Sequence, residues 1–250
     1  MRRRSENLLM IAAREPIPGF TKTRLGESLG MEVAAALYRA FLTDLAHRFV
    51  PPSLADEPPF DLAWAFTPAA CDFPGVVRSL SPVMGVLSAM AEGRVRHVPQ
   101  RGKDWGERQA NLLRWGHEAG YRRTILTASD SPQMTMATVE SAFTALGSHD
   151  VVLGRVEDGG YYLIGLGGPH DVLRDVPMST ASAADALVAR ARGSRLLVAE
   201  MEATFDVDTA ADLAMLRDYA ARFPAAIPAT AAALARLVPA EAIAEHRPPR

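Results

Sequence analysis

An apolar segment, Leu8-Leu9-Met10-Ile11-Ala12-Ala13, is followed in this 250-residue chain by Arg14-Glu15-Pro16-Ile17-Pro18-Gly19-Phe20-Thr21-Lys22-Thr23-Arg24-Leu25. The apolar residues are continuous rather than alternating, which is typical of a central parallel strand buried on both faces. Two prolines and a glycine exclude a regular element from residues 14–25, so we expect a loop there. Apolar residues then recur in four-residue steps from Val33 to Leu45, which predicts a helix.

Strand and helix patterns alternate along the rest of the chain. We predict strands at 61–66, 94–98, 124–127, 150–154, 161–166 and 195–199, and helices at 106–119, 135–146, 183–192 and up to residue 222. This alternation indicates an α/β fold with a mostly parallel central sheet and helices on both faces. We assign residues 1–224 to this single domain. Residues 225–250 form an Ala/Pro-rich tail that either adds a small helix or lies loosely on the surface, and residues 51–59 are expected to be a mobile surface loop.

The overall composition limits the classes of partner. The net charge is -2, with 27 basic and 29 acidic residues, so a general nucleic-acid binder is disfavoured. No segment approaches the ~20 apolar residues of a membrane span. The N-terminal apolar run is too short for a signal peptide, and the single cysteine, Cys71, fits a reducing compartment. We therefore expect a cytoplasmic protein.

The first loop is the strongest candidate for an anion site. Arg14, Lys22 and Arg24 bring three cations into eleven residues, and Gly19 permits unusual backbone angles. Cations and free N–H groups between a strand and a helix suit a phosphate. The alternative is a solvated loop that happens to be basic. The loop lacks the GxxxxGK[ST] pattern of a P-loop, and no GxGxxG follows the first strand.

Acidic residues follow two other predicted strands. Ser129-Asp130 comes after the fourth strand, and a carboxylate there suits Mg²⁺ or Mn²⁺, although capping of the next turn is an alternative. Asp208, in Asp206-Val207-Asp208-Thr209, is either a second metal ligand or an N-cap.

Two glycine-containing segments complete the set of candidates. Glu157-Asp158-Gly159-Gly160-Tyr161-Tyr162 is either a simple hairpin turn or an acceptor site in which Asp158 holds a hydroxyl group and the glycines admit a ligand. The two tyrosines point to opposite faces of a strand, so at most one faces the ligand. The basic loop 100–108 precedes a helix and is a candidate contact for a base or phosphate, or else a plain exposed loop. The polar clusters adjoin strands, so we expect them to converge on one edge of the sheet.

These motifs resemble a bacterial family in their order along the chain. The motifs are Arg14-x-Pro-x-Pro-Gly-x-x-Lys-Thr-Arg-Leu25, Gly106-Glu107-Arg108, Ser129-Asp130-x-Pro132, Glu157–Leu166, Ser179-Thr180 and Asp206-Val207-Asp208-Thr209. The chain resembles the glycosyltransferase-A-like transferases known as radical-SAM/selenodomain-associated transferase 1. Its Lys-Thr-Arg-Leu segment is also similar to the 2-phospholactate guanylyltransferases of the nucleotide-diphospho-sugar transferase superfamily. The chain departs from the family at Arg14 (often Lys), Ala128 (often Gly) and Met178 (often Trp).

The resemblance implies a Rossmann-like, glycosyltransferase-A-type domain and a set of roles. Catalysis would fall to Lys22, Asp130 and Asp158, and the metal, Mg²⁺ or Mn²⁺, to Asp130 and Asp208. The nucleotide would be bound by Arg14, Gly19, Lys22, Thr23, Arg24, Gly106, Glu107, Arg108 and Ser129, and the acceptor by Glu157, Asp158, Gly159, Gly160, Tyr161, Ser179 and Thr180.

The predicted function is metal-dependent transfer from an activated nucleotide. Among the candidate reactions, we favour glycosyl transfer from a nucleotide sugar to a small-molecule acceptor. The alternatives are a nucleotidylyltransferase, which joins a nucleoside triphosphate to a small phosphorylated or phosphonate acceptor and releases pyrophosphate, and a non-catalytic nucleotide-binding regulator. The oligomeric state stays open, with a homodimer as one alternative.

Overall fold

The computed structural model describes residues 3–50, 59–80, 89–91 and 94–239. The strands are β1 (Asn7–Arg14), β2 (Asp61–Thr67), β3 (Val95–Pro99), β4 (Arg123–Ala128), β5 (Val151–Val156), β6 (Tyr161–Leu166) and β7 (Val198–Thr204). The helices are α1 (Thr23–Leu29), α2 (Met31–Phe49), α3 (Phe73–Leu80), α4 (Trp105–Glu118), α5 (Met136–Ala145), α6 (Ala183–Gly193), α7 (Asp212–Arg222) and α8 (Pro228–Leu237).

The strands form one sheet in the order β3-β2-β1-β4-β6-β5-β7. β1 pairs in parallel with β2 and β4, β2 pairs in parallel with β3, and β5 pairs in parallel with β7. Only β6, within this described sheet, runs against its neighbours β4 and β5. The prediction of a mostly parallel α/β sheet is therefore confirmed. β1, β4, β5 and β7 all end at the same edge.

β1 separates two hydrophobic cores, which explains why its sequence is apolar throughout. Leu9 and Ile11 pack on one face in a cluster that includes Phe41 of α2. Leu8 and Met10 pack on the other face, with Leu112 of α4. Helices therefore cover both faces of the sheet, as the alternating pattern predicts.

The last strand lies further along the chain than predicted. β7 spans Val198–Thr204 instead of 195–199, because Leu197 is 60% exposed and precedes the pairing with β5. The apolar pair Leu196-Leu197 suggests a strand at its own position. The half-exposed edge strand itself carries two glutamates, Glu200 and Glu202, and so has a weaker apolar pattern.

The beginning of the Ala/Pro-rich tail forms a helix that packs on the domain. Asp44 of α2 accepts hydrogen bonds from the backbone N–H groups of Ala229 (2.9 Å) and Thr230 (2.8 Å), at the first turn of α8. Leu234 of α8 is buried in the same core as β1. Of the two alternatives for this segment, the helix is therefore the one observed. Residues 240–250 lie outside the described residues, as does most of the loop predicted at 51–59.

Across the described ranges, every helix is too short or too polar to cross a bilayer.

Candidate functional site

The loops after β1, β4, β5 and β7 enclose a cleft of about 510 Å³. The cleft lies where the strand order changes direction. From β1 the chain continues to β2 on one side, and it later returns to β4 on the other side of β1. Ligands of open α/β sheets bind at such points, beyond the carboxyl ends of the strands. Each of the polar segments that the sequence marks as candidates contributes at least one residue to the lining.

Lys22 lies at the centre of the cleft. Its Nζ is 2.5 Å from Asp130 Oδ1 and 2.8 Å from Asp208 Oδ1, and the side chain is only 4% exposed. The predicted loop 14–25 ends earlier than expected, because α1 begins at Thr23. Lys22 has left-handed backbone angles (φ 51°, ψ 43°), and this turn lets the chain enter the helix.

The Lys22 ammonium and the two carboxylates stabilise each other's charge. Burial lowers the pKa of Lys22, but Asp130 and Asp208 together outweigh burial, so the pKa of Lys22 is raised above its ordinary value. Burial raises the pKa of Asp208, but the Lys22 charge and hydrogen bond, with Arg24 and Arg14 nearby, bring it below its ordinary range. Lys22 is therefore a fixed cation, and one ammonium serves two carboxylates.

The alternative role of Asp208, as the N-cap of the following helix, is not the one observed, because the N-cap position is Ala211. Asp212 Oδ2 accepts hydrogen bonds from the Asp208 N–H (2.9 Å), the Thr209 N–H (2.7 Å) and the Thr209 hydroxyl (2.9 Å). These hydrogen bonds hold the loop that leads into α7, which begins at Asp212. The Asp208 carboxylate is left facing the cleft.

The hydroxyl group of Tyr38 in α2 connects the end of β1 with the loop after β4, next to the residues that are predicted to bind phosphate. Its hydroxyl accepts a hydrogen bond from the Arg14 N–H (3.0 Å) and shares one with Ser129 Oγ (2.7 Å). Burial, and then the nearby Asp130 charge, raise the pKa of Tyr38 to about 12, so its hydroxyl keeps its proton. The sequence analysis missed Tyr38, which lies in a regular apolar helix.

Asp206 is a second residue that the sequence analysis left without a role. Its side chain lines the cleft, near enough to the carboxylates of Asp208, Asp158 and Asp130 to be repelled by them. Burial, and then repulsion from Asp208, Asp158 and Asp130, raise the pKa of Asp206 to about 7. The crowding of acids in Asp206-Val207-Asp208 is the signal that would have identified it.

The opposite wall holds the predicted acceptor residues. Asp158, Gly160, Tyr161, Ser179 and Thr180 line the cleft. Tyr161 donates a hydrogen bond to Gln109 (3.1 Å), and burial raises the pKa of Tyr161 to about 12. The neighbouring Tyr162 is 3% exposed and belongs to the core, so the two tyrosines do point to opposite faces.

Five predicted ligand residues do not line the cleft: Gly19, Gly106, Glu107, Glu157 and Gly159. Gly19 and Gly159 have positive φ angles (73° and 90°) and form turns. Glu107 closes a capping box at α4, because its carboxylate accepts from the Lys103 N–H and its N–H donates to Asp104. Gly106 lets α4 approach Met178, since a Cβ there would lie 3.2 Å from Met178 Cγ. The structure gives these four local structural roles; their contact with a ligand stays a prediction, as does that of Glu157.

The segment 100–108, which includes the first turn of α4, contributes to the cleft with residues other than the predicted Gly106 and Glu107. Arg108 lines the cleft and its Nε donates to the carbonyl of Gly102 (3.1 Å). Trp105 and Gln100 also line it, and neither was singled out from the sequence. The remaining predicted residues, Arg14, Thr23 and Arg24, lie in the lining on the β1 side.

The oxygen atoms of Asp130 and Asp208 are the donors that a hard divalent cation prefers. Within the part of the chain that the structure describes, no cluster of three or more His, Cys, Asp and Glu side chains is arranged as a metal site. Two carboxylates gathered on one ammonium nevertheless fit Mg²⁺ or Mn²⁺, because such ions in nucleotide sites take the rest of their ligands from phosphates and water.

Comparison with known proteins identifies relatives of the whole fold. The family model for DUF2064, described as an uncharacterized protein conserved in bacteria, matches residues 81–180. No curated protein matches the sequence. A crystal structure of a proposed nucleotide-diphospho-sugar transferase from Desulfovibrio desulfuricans G20 is 30% identical, with a TM-score of 0.81, over 98% of this chain and 100% of that one.

More distant solved structures share the fold alone. A cytidylyltransferase from Leptospira borgpetersenii serovar Hardjo-bovis (strain JB197) is 10% identical, with a TM-score of 0.50, over 98% of this chain and 99% of that one. A homolog of Mycobacterium tuberculosis Rv0371c from Mycobacterium sp. strain JC1 is 18% identical, with a TM-score of 0.50, over 89% of this chain and 100% of that one.

Proposed function

Because the chain belongs to the nucleotide-diphospho-sugar transferase superfamily and is a nucleotide-using transferase, we propose that it transfers a glycosyl group from a nucleotide sugar to a small-molecule acceptor with the help of a divalent metal. The observation that carries this proposal is the contact of Lys22 with both Asp130 and Asp208 at the edge of the sheet. A buried cation and two carboxylates at this position suit a complex of metal and diphosphate.

The β1 side of the cleft would bind the diphosphate. Arg14 and Arg24 are exposed cations that flank the buried Lys22, and both line the cleft. The first turn of α1 adds free backbone N–H groups next to Thr23. Arginine side chains can bind phosphate oxygens in a bidentate manner, while Lys22 supplies a point charge.

Asp130 and Asp208 would hold the metal. When bound, Mg²⁺ or Mn²⁺ supplies positive charge that neutralises the oxygens of the leaving diphosphate. Such charge also has acids to balance, because Asp130, Asp206 and Asp208 gather around the single buried cation Lys22.

The other wall would bind the acceptor. Asp158 follows β5 and Tyr161 begins β6, so the short turn between them presents both side chains to the cleft. In glycosyl transfer the bond between the anomeric carbon and the diphosphate oxygen breaks, and a bond to the acceptor oxygen forms. Asp158 is placed to take the proton that the acceptor hydroxyl loses, while Lys22 stabilises the charge that develops on the diphosphate.

A nucleotidyltransferase is the second candidate. The three cations of the β1 side, Arg14, Lys22 and Arg24, also suit the longer chain of a triphosphate. In that reaction an acceptor phosphate oxygen bonds to the α-phosphorus and pyrophosphate leaves. A non-catalytic regulator, which the sequence left open, is disfavoured because the chain belongs to a transferase superfamily and keeps both Asp130 and Asp208.

A thermal-shift panel tests the proposal. Nucleotide sugars and nucleoside triphosphates are added separately, each with and without Mg²⁺ or Mn²⁺. We expect a nucleotide sugar with metal to stabilise the protein, by about 2.7 kcal/mol at a hundred times its Kd. Asp130→Asn should abolish the metal-dependent part, whereas Asp218→Asn, an exposed acid of α7, should retain it. Stabilisation by triphosphates alone would support the second candidate, and no stabilisation by either class would overturn both.

A further inference from the structure

The two carboxylates of the proposed metal site belong to different loops. Asp130 lies in the loop that follows β4, and Asp208 lies in the loop that follows β7. In the structure Lys22 Nζ contacts both of them, at 2.5 and 2.8 Å. Under the proposed function a metal ion takes these carboxylate oxygens and a phosphate takes the ammonium, so Lys22 then no longer joins the two loops.

Hydrogen bonds that do not involve Lys22 join the same two loops. The backbone N–H of Val207 donates to the Asp130 carbonyl (3.1 Å), and the Ser131 hydroxyl donates to the Phe205 carbonyl (3.1 Å). Ser131 directly follows Asp130 and is fully buried. These bonds tie the loops together whether or not the ammonium contacts the carboxylates.

Gln133 makes the same connection with its side-chain amide. Its Nε2 donates to the Phe205 carbonyl (2.5 Å) and to Thr204 Oγ1 (3.0 Å), so both hydrogens bind the end of β7 and the residue that follows it. A carbonyl oxygen only accepts, which fixes the orientation of the amide. The Gln133 Oε1 is sealed from solvent and accepts no hydrogen bond from the residues that the structure describes.

The sealed oxygen of Gln133 is a cost to stability that an apolar side chain would avoid. A buried acceptor without a partner loses its hydration and gains no hydrogen bond in return, and methionine would fill a similar volume without it. Such groups are uncommon in folded proteins and are found where function requires them. What Gln133 provides in this position is its grip on the Phe205 carbonyl.

We propose that Ser131 and Gln133 are positioning residues, which hold the Asp208 loop against Asp130 and thereby set the affinity of the site for a divalent metal ion. This inference rests on the proposed function, because it assumes that Asp130 and Asp208 bind the metal. Replacement of groups that orient metal ligands from behind typically weakens metal binding by about 10–100-fold.

Water-proton relaxation tests the inference, because Mn²⁺ held on the full chain relaxes water more strongly than Mn²⁺ that is free or bound only to a nucleotide. Mn²⁺ is titrated alone, and in the presence of UDP or GDP, into the wild type, Gln133→Met and Ser131→Ala. We expect the Kd for Mn²⁺ to rise about tenfold in Gln133→Met. It should rise by a smaller factor in Ser131→Ala, where Gln133 still holds the Phe205 carbonyl.

Urea denaturation of the same variants separates positioning from general stability. Gln133→Met should stay close to the wild type in its free energy of unfolding, since it removes the sealed oxygen together with the two hydrogen bonds. Tyr121→Phe is the matched control, because it removes a buried hydroxyl that donates to Asp61 (2.6 Å) at the opposite edge of the sheet. It should lower stability and leave the Kd for Mn²⁺ unchanged.

An unchanged Kd in both Gln133→Met and Ser131→Ala would overturn the inference and leave the proposed function standing. A rise in the Kd that Tyr121→Phe shows equally would also overturn it, because loss of stability would then explain the effect. If Gln133→Met fails to fold, Ser131→Ala decides by the same criterion. Failure of the wild type to bind Mn²⁺ under any of these conditions would overturn the proposed metal site, and this inference with it.

Discussion

The carboxylate of Asp212 accepts a hydrogen bond of 2.9 Å from the backbone N–H of Asp208. Because Asp212 satisfies the backbone before α7, the Asp208 carboxylate is available to Lys22, at 2.8 Å. One acid therefore holds the loop and the other faces the cleft.

Replacement of Asp212 should affect both stability and binding. Asp212→Ala removes the acceptor of two backbone N–H groups and one hydroxyl, so we expect the free energy of unfolding to fall by about 1–2 kcal/mol. Metal-dependent nucleotide binding should weaken as well, because Asp208 loses its fixed position. Urea denaturation and titration measure the two effects. Asp218→Ala, in the same helix but exposed, should change neither, and an equal effect of both variants would contradict the assignment.

Replacement of Lys22 should make the protein depend on a metal for stability. Lys22→Met leaves Asp130 and Asp208 facing each other without a cation, so we expect a loss of about 1–2 kcal/mol without metal, less than for a fully buried pair because both carboxylates are partly exposed. Mn²⁺ without nucleotide should then raise the Tm more in the variant than in the wild type, where Lys22 competes for the same oxygens.

The matched control is Lys103→Met, which removes the other lysine of the chain, outside the cleft lining. Differential scanning fluorimetry across a series of Mn²⁺ concentrations provides the comparison. A Lys22→Met variant that is indifferent to Mn²⁺ would exclude Asp130 and Asp208 as its ligands.

Removal of the Tyr38 hydroxyl should weaken nucleotide binding through the loops it joins. Tyr38→Phe leaves the Arg14 N–H and Ser129 Oγ without this partner, so we expect a loss of about 1–2 kcal/mol in unfolding free energy and a higher Kd for nucleotide. Tyr162→Phe removes a hydroxyl that donates to the Glu202 carbonyl away from the cleft. It should lower stability without altering the Kd; identical effects on the Kd would refute a specific role of Tyr38.

The contribution of His97 to the free energy of unfolding should decrease as the pH falls from about 6.5 to about 4. Burial, and then the Arg78 charge, lower the pKa of His97 from 6.5 to about 4 in the folded state. The unfolded chain therefore binds a proton at His97 throughout this interval while the folded chain does not, and protons favour the unfolded state. Asp206, whose pKa is raised to about 7, contributes in the opposite direction, so the measured quantity is the difference between wild type and His97→Gln in urea denaturation at several pH values. As the pH falls through this interval, the wild type should lose stability relative to His97→Gln. His47→Gln, at an exposed position of α2, should keep the wild-type slope.

Much of the fold could be predicted from the sequence because the sheet is buried on both faces. Leu8–Ala13 is apolar throughout, since alternate residues enter two different cores. The bounds of β7 could not be read in the same way, because an edge strand with one exposed face carries Glu200 and Glu202 and has little apolar signal.

The site could be predicted where polar residues directly follow a strand. Asp130 follows β4 closely and Asp158 follows β5, so topology alone brings them to one edge. The role of Tyr38 could not be predicted, because it depends on which distant groups, the Arg14 N–H and Ser129 Oγ, lie beside it. The hydrogen bond from the Asp208 N–H to Asp212, which leaves the Asp208 carboxylate to Lys22, likewise depends on the actual path of the loop.

The two halves of the cleft differ in how far apart in the sequence their parts lie, because one half contains the hairpin of β5 and β6. Residues 157–160 join two strands that pair with each other locally, whereas the pairing of β1 with β4 joins parts of the chain more than a hundred residues apart. The segment around Ala181 is what requires a glycine at position 159, since a Cβ there would collide with the Ala181 carbonyl. The hairpin and residues 177–184 thus constitute a cassette. Under the proposed function, we expect exchange of this cassette between related chains to alter acceptor preference more than nucleotide binding.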